Sequence, residues 1–277
     1  MSTARRSPSF LAGAWRVFEL SIGEMLWSRR TIFMALVVGC PVAIALVVRI
    51  VQTAGITPLK MNGVQVDAVG VFGAMIWTLF LWFIVPVLGV FYGTSLMADE
   101  VDDKTITYLF TRPVRRGAVL VGKYIAYLVC TTLVVLPSVM LVYFLIVPFG
   151  RVAASFISLL IDLGVLGLGL AAYGALFALV GATLKRPLVA GLMFVFGWEL
   201  VALLVPGYLK RFTLAYYLQT LVPHAMPSGG VVSALQGAVF GTPPSVAVSL
   251  FWLVVATSAA LALAVRVVER REYVLEQ

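Results

Sequence analysis

Gly117-Ala118-Val119-Leu120-Val121-Gly122-Lys123-Tyr124 comes within one residue of the G-x-x-x-x-G-K-[ST] loop that cradles nucleotide phosphates on backbone amides. Tyr124 stands where a Ser or Thr hydroxyl would bind Mg²⁺, and no buried strand leads into the first glycine, so nucleotide binding by this chain is not expected. His224, the one histidine, is followed by Met226 in a proline-rich stretch, and two soft donors are too few for a metal site. Cys40 and Cys130 each sit alone in an apolar run without a C-x-x-C, which leaves them as packed thiols. With no G-x-S-x-G and no H-E-x-x-H, nothing forms a hydrolytic constellation, and the chain does not read as an enzyme. Two carboxylates remain of interest, Asp162 and Glu199, because both fall inside apolar stretches. A charge at the centre of a bilayer costs roughly 2.5–3.5 kcal/mol on insertion scales, less near an interface. Their apparently similar depth makes them candidates to line a translocation path; the plainer alternatives are headgroup contact or pairing with Arg151 or Lys210.

The elements that must position these residues are six apolar runs, at 31–48, 69–97, 119–147, 158–183, 188–205 and 246–268. Each reaches or nearly reaches the roughly 20 residues that cross about 30 Å of hydrocarbon as a helix. Lipid offers no partner to backbone N–H and C=O groups, and barrel-type alternation is absent, so the expected fold class is all-α polytopic membrane protein. Composition agrees: 62% of residues are hydrophobic and 12% charged, far from a soluble domain. The net charge of +8 does not point to nucleic acid, because the cations flank apolar runs instead of forming a stripe; anionic lipid headgroups are the fitting counter-charge. Of the Lys and Arg residues, only Arg49, Lys60, Arg151, Lys210 and Arg211 fall on one side of the implied topology, and the positive-inside rule then puts both termini in the cytoplasm.

Residues 7–28 are expected to form an amphipathic helix on the inner leaflet. Ser7-Pro8 is a helix start, and Leu11, Trp15, Phe18, Ile22, Met25 and Leu26 fall on one side. The 207–245 segment, broken by Pro223, Pro227, Pro243 and Pro244, suits a re-entrant or interfacial piece on the outer side better than a solvated loop, whereas 55–68 reads as a plain polar loop. Gly164, Gly167, Gly169, Gly174 and Gly181 interleave with alanines in the fourth run, which should therefore pack closely at the bundle centre or at a protomer contact.

The most polar stretch, 98–118, joins the second and third runs. It opens on Asp99, Glu100, Asp102 and Asp103, continues through Lys104, Thr105, Tyr108 and Leu109, and stops at Arg112-Pro113 before Arg115-Arg116. Acids favour a helix N-terminus and the residue before proline disfavours continuation, so a short cytoplasmic helix is expected there. Together with Gly122-Lys123-Tyr124, this stretch resembles the signature of the type-2 permease subunits of ATP-binding-cassette transporters: an acidic turn, a Thr-x-x-x-Leu helix, Arg-Pro, a basic pair, and Gly-Lys opening the next span. Lys104 departs from the pattern, which often has Gly. The resemblance implies a type-2 exporter-like permease fold, a dimer with a second copy or a homologous permease, and docking on a separate cytoplasmic ATPase subunit that holds the ATP and Mg²⁺, with no cofactor in this chain. It also implies that Asp99, Glu100, Asp103, Lys104, Thr105, Tyr108, Leu109, Arg112, Pro113, Arg115 and Arg116 form the coupling segment. The expected setting is a prokaryotic inner membrane and the expected direction export. A gradient-driven carrier would need midplane ionisable residues and broken helices in matching halves; a non-transporting scaffold would use the same basic segment only to recruit a partner.

Overall fold

The computed structural model describes residues 10–27, 29–54, 60–61, 64–65, 68–97, 115–199, 201–202, 208–223 and 244–270. The main helices among these residues are α1 (Phe10–Leu26), α2 (Arg29–Thr53), α3 (Ala68–Met97), α4 (Arg116–Ile146), α5 (Phe149–Thr183), α6 (Pro187–Glu199), α7 (Leu214–Gln219) and α8 (Val246–Arg270), with a 3-10 turn at Tyr208–Phe212. Five of them, α2, α3, α4, α5 and α8, are long and apolar enough to cross a membrane. The expected loop between the first two spans holds a two-residue antiparallel ladder, Lys60–Met61 against Val64–Gln65.

The fifth expected span is described over α6 and residues 201–202 only, and the described length of α6 is about 20 Å. α5 starts at Phe149, well before the expected Ser158. Extended backbone at Pro148 sets its start, and Arg151 and Ser155 are accommodated because a 35-residue helix, roughly 52 Å long, outruns the hydrocarbon.

α5 is the centre of the bundle and packs on α4, α8, α6, α7 and the second half of α3. Small residues set its approach to two neighbours. A Cβ at Gly174 would collide with the Tyr127 ring of α4, and one at Gly181 would collide with the Thr94 carbonyl of α3. Gly169 lies against Val85 and Leu218, whereas a Cβ at Gly164 or Gly167 would meet nothing within 4 Å among the described residues. Between the helices, buried hydroxyls donate to main-chain carbonyls: Tyr124 to Ala171 at 2.8 Å, Tyr127 to Leu170 at 2.9 Å, and Ser138 to Val38 at 3.1 Å. With no water in the hydrocarbon, such donors need protein acceptors, and each bond ties one helix to another.

α1 packs chiefly on α4. Gly13, Ala14 and Ser21 are buried and Val17, Phe18, Ile22 and Met25 partly so, while Leu11, Trp15 and Leu26 are exposed. Gly122 of α4 is the reason: its bare Cα lets the Ala14 carbonyl and Val17 come in closer than any Cβ would permit. The small face therefore meets protein, and the bulky apolar residues are left for a non-protein apolar medium. Cys130 is buried as expected, but Cys40 is exposed on α2, whose outward side is apolar throughout that stretch.

Candidate functional site

Glu199 is the last residue of the described run of α6 and is only 4% exposed. Its Oε2 accepts a 2.6 Å hydrogen bond from the Tyr173 hydroxyl of α5, while among the described residues Oε1 has no hydrogen-bond partner. The backbone amides of Leu214 and Ala215, at the start of α7, also approach the carboxylate. Thr213 caps that short helix through its hydroxyl and so fixes where the amides stand.

Beside this carboxylate lies a cavity of about 250 Å³ between α3 and α6. α3 contributes Leu81, Trp82, Phe83 and Pro86, α6 contributes Val195 and Phe196, and Tyr173, Glu199 and Ala215 complete the lining with Thr78. Trp82, Phe83 and Phe196 are each about half exposed, so the rings stand at the mouth and the carboxylate at the back. Phe83 and Phe196 face each other across it at 6.4 Å between centroids.

Both walls are built from π-helical turns. Ile76–Ile84 of α3 and Phe194–Glu199 of α6 are wound with i to i+5 bonding, and the Val85 amide that closes the first donates to Phe80. Pro86 supplies no N–H to the ladder, and a widened turn beside it is one way for the helix to continue. Such turns are uncommon and concentrate at functional sites, because the extra residue per turn moves side chains off the regular 100° spacing. Here it collects Leu81, Trp82 and Phe83 on one cavity wall.

Asp162 is also fully buried, but it is not among the cavity lining. Tyr173, the partner of Glu199, is eleven residues further along α5, roughly 16 Å at 1.5 Å per residue. The expected common depth of the two acids therefore fails. The contact of Glu199 with Tyr173, ten residues from Thr183, puts it about 15 Å from that end of α5. Its hydrogen-bond partner is Tyr173, not Lys210, whose Nζ stands 5.7 Å over the Tyr216 ring.

Of the expected coupling segment, Asp99, Glu100, Asp103, Lys104, Thr105, Tyr108, Leu109, Arg112 and Pro113 lie outside the described residues, as do His224 and Met226. Arg115 is exposed and extended, and Arg116 begins α4. The next turns of α4 hold the near-match to the phosphate loop, wound as helix and packed against neighbours: Gly117 meets Val265 and Glu269 of α8, and Gly122 meets α1. The start of α4 thus ties three helices together directly after the basic pair.

Tyr173, Trp82, Phe83 and Phe196 were not singled out from the sequence. The signal open to a reader was a tyrosine among glycines in the fourth run, and it says nothing about which acid it meets. Among known proteins, the family model described as "ABC-2 family transporter protein" matches residues 24–205, well over half of the chain. The match takes in Glu199 and the cavity walls from α3 and α6. No curated protein matches the chain.

Proposed function

The chain belongs to the ABC-2 family of transporter proteins and is an integral-membrane permease subunit of an ATP-binding-cassette transporter; from that premise we propose that it works as a dimer, as an exporter driven by a separate cytoplasmic ATPase that docks on residues 98–118. ATP bound by the partner favours one arrangement of the bundle, and the partner must have a higher affinity for nucleotide in that arrangement for turnover to drive a switch. Movement enters at Arg115-Arg116 and passes straight into α4. The observation that supports this route is the packing of the first turns of α4, where Gly117 bears on α8 and Gly122 on α1 within six residues of the basic pair. A push there displaces three helices as a unit, because packed helices shift as rigid bodies. Glu199 and its cavity are the candidate contact with cargo. Asp162, buried elsewhere along α5, is assigned a place in the pathway only if its neutral isostere changes transport.

The setting is a prokaryotic plasma membrane with both termini cytoplasmic. Arg112→Glu, Arg115→Glu and Arg116→Glu together should abolish co-purification with the ATPase and leave membrane insertion intact. Retained ATP-dependent transport in that triple variant would refute the docking assignment. Transport into vesicles with and without ATP and the partner separates this mechanism from a gradient-driven carrier and from a non-transporting scaffold.

A further inference from the structure

We infer that the cavity between α3 and α6 binds an amphipathic organic cation, with its ammonium or guanidinium head on Glu199 Oε1 and its apolar body against Trp82, Phe83 and Phe196. The inference rests on the transporter reading only for its physiological meaning; the site itself is a matter of binding by this chain.

Three independent features meet there. The first is a carboxylate more than nine-tenths buried, with one oxygen held by the Tyr173 hydroxyl and the other without a hydrogen bond among the described residues, lining an open volume of about 250 Å³. Burying an ionised carboxylate is costly unless an opposite charge meets it, and a cation entering the cavity supplies that charge. The second is the lining, otherwise almost wholly apolar, with three aromatic rings at the mouth whose faces attract cations and whose areas bury hydrocarbon. No Lys or Arg is among the cavity residues, so an anion there would meet the carboxylate with no counter-charge of its own. The third is the winding of both walls, each a π-helical run; a further such run, Gly89–Gly93, continues α3 beyond the lining.

Size sets the class further. A volume of this order holds a head with a small ring or short branched body, and not a polymer segment or a whole phospholipid.

The test uses the full chain in nanodiscs of zwitterionic lipid, without an ATPase, and measures binding of benzyltrimethylammonium by titration calorimetry, with benzylsulfonate as the probe of the same body and opposite charge. The cation should bind saturably and the sulfonate should not. Glu199→Gln, which keeps the shape and an acceptor for Tyr173, should weaken the cation by about tenfold or more, and Trp82→Leu by several-fold. Equal binding of cation and sulfonate, no saturable cation binding, or unchanged affinity in Glu199→Gln would each overturn the site. If Glu199→Gln does not fold, the charge comparison on the unmutated chain and Trp82→Leu still decide. Because no ATP is involved, failure here leaves the coupling proposal standing, and failure of ATP dependence in vesicles leaves this site standing.

Discussion

At Glu199 a single hydroxyl decides what a buried carboxylate can do. Tyr173 reaches it from a neighbouring helix at 2.6 Å, so the acid's position is set by α5 as much as by its own backbone. A buried carboxyl oxygen that loses its donor is left with a desolvation penalty. Tyr173→Phe should therefore lower stability in detergent by about 1–3 kcal/mol, read as a drop in Tm, with the fold retained because the ring still fills its place. An unchanged Tm would mean that the carboxylate finds another donor. Residue types alone picked out Glu199, since an acid within an apolar run is conspicuous. They could not supply its depth or its partner, because both depend on how α6 is set against α5, a relation between segments that share no local pattern.

The helices themselves were the legible part, and their faces were not. Continuous apolar runs mark α2, α3, α4, α5 and α8 closely, since crossing hydrocarbon leaves few other options. In a bilayer, though, an apolar stripe does not say which side meets protein, because lipid accepts it as readily as a core does. α1 shows the consequence: Gly13, Ala14 and Ser21 are its most buried residues, while Leu11, Trp15 and Leu26 stay exposed. Gly122→Val should push Ala14 and Val17 away, costing about 1–3 kcal/mol and exposing α1 to proteolysis at a low protease dose. Gly23→Val, with nothing within 4 Å of a Cβ, is the control and should leave the cleavage rate unchanged. The π-helical turns had no advance signal either, because the residues of Ile76–Ile84 would serve equally well in a regular helix; Pro86 alone hinted at an irregularity.

Across the whole molecule, the absence of a usable phosphate loop in a chain of this family gives a plain expectation. Purified alone, the protein should hydrolyse ATP at background rate. Reconstituted with the proposed ATPase partner, it should transport only when nucleotide is present, and substituting a non-hydrolysable analogue should reduce turnover to at most a single event per transporter. Sustained uptake by the isolated chain would point to a gradient instead. The topology behind this expectation follows from the spacing and charge asymmetry of the runs. The joint at the start of α4, where α1 and α8 converge, does not, since it depends on two glycines whose neighbours come from opposite ends of the chain.

α4 and α5 turn back on each other at Val147-Pro148, and the Tyr143 hydroxyl staples them there, donating to the Val152 carbonyl at 3.0 Å and lying 2.7 Å from the Ser155 hydroxyl. At 31 and 35 residues both rods exceed the thickness of any ordinary bilayer. Such a pair must lean or stand proud of the lipid, and the staple makes the two lean together. Changing lipid chain length should therefore alter the tilt of this hairpin as one body, so that membrane thickness becomes a control on its angle and leaves its internal contacts untouched.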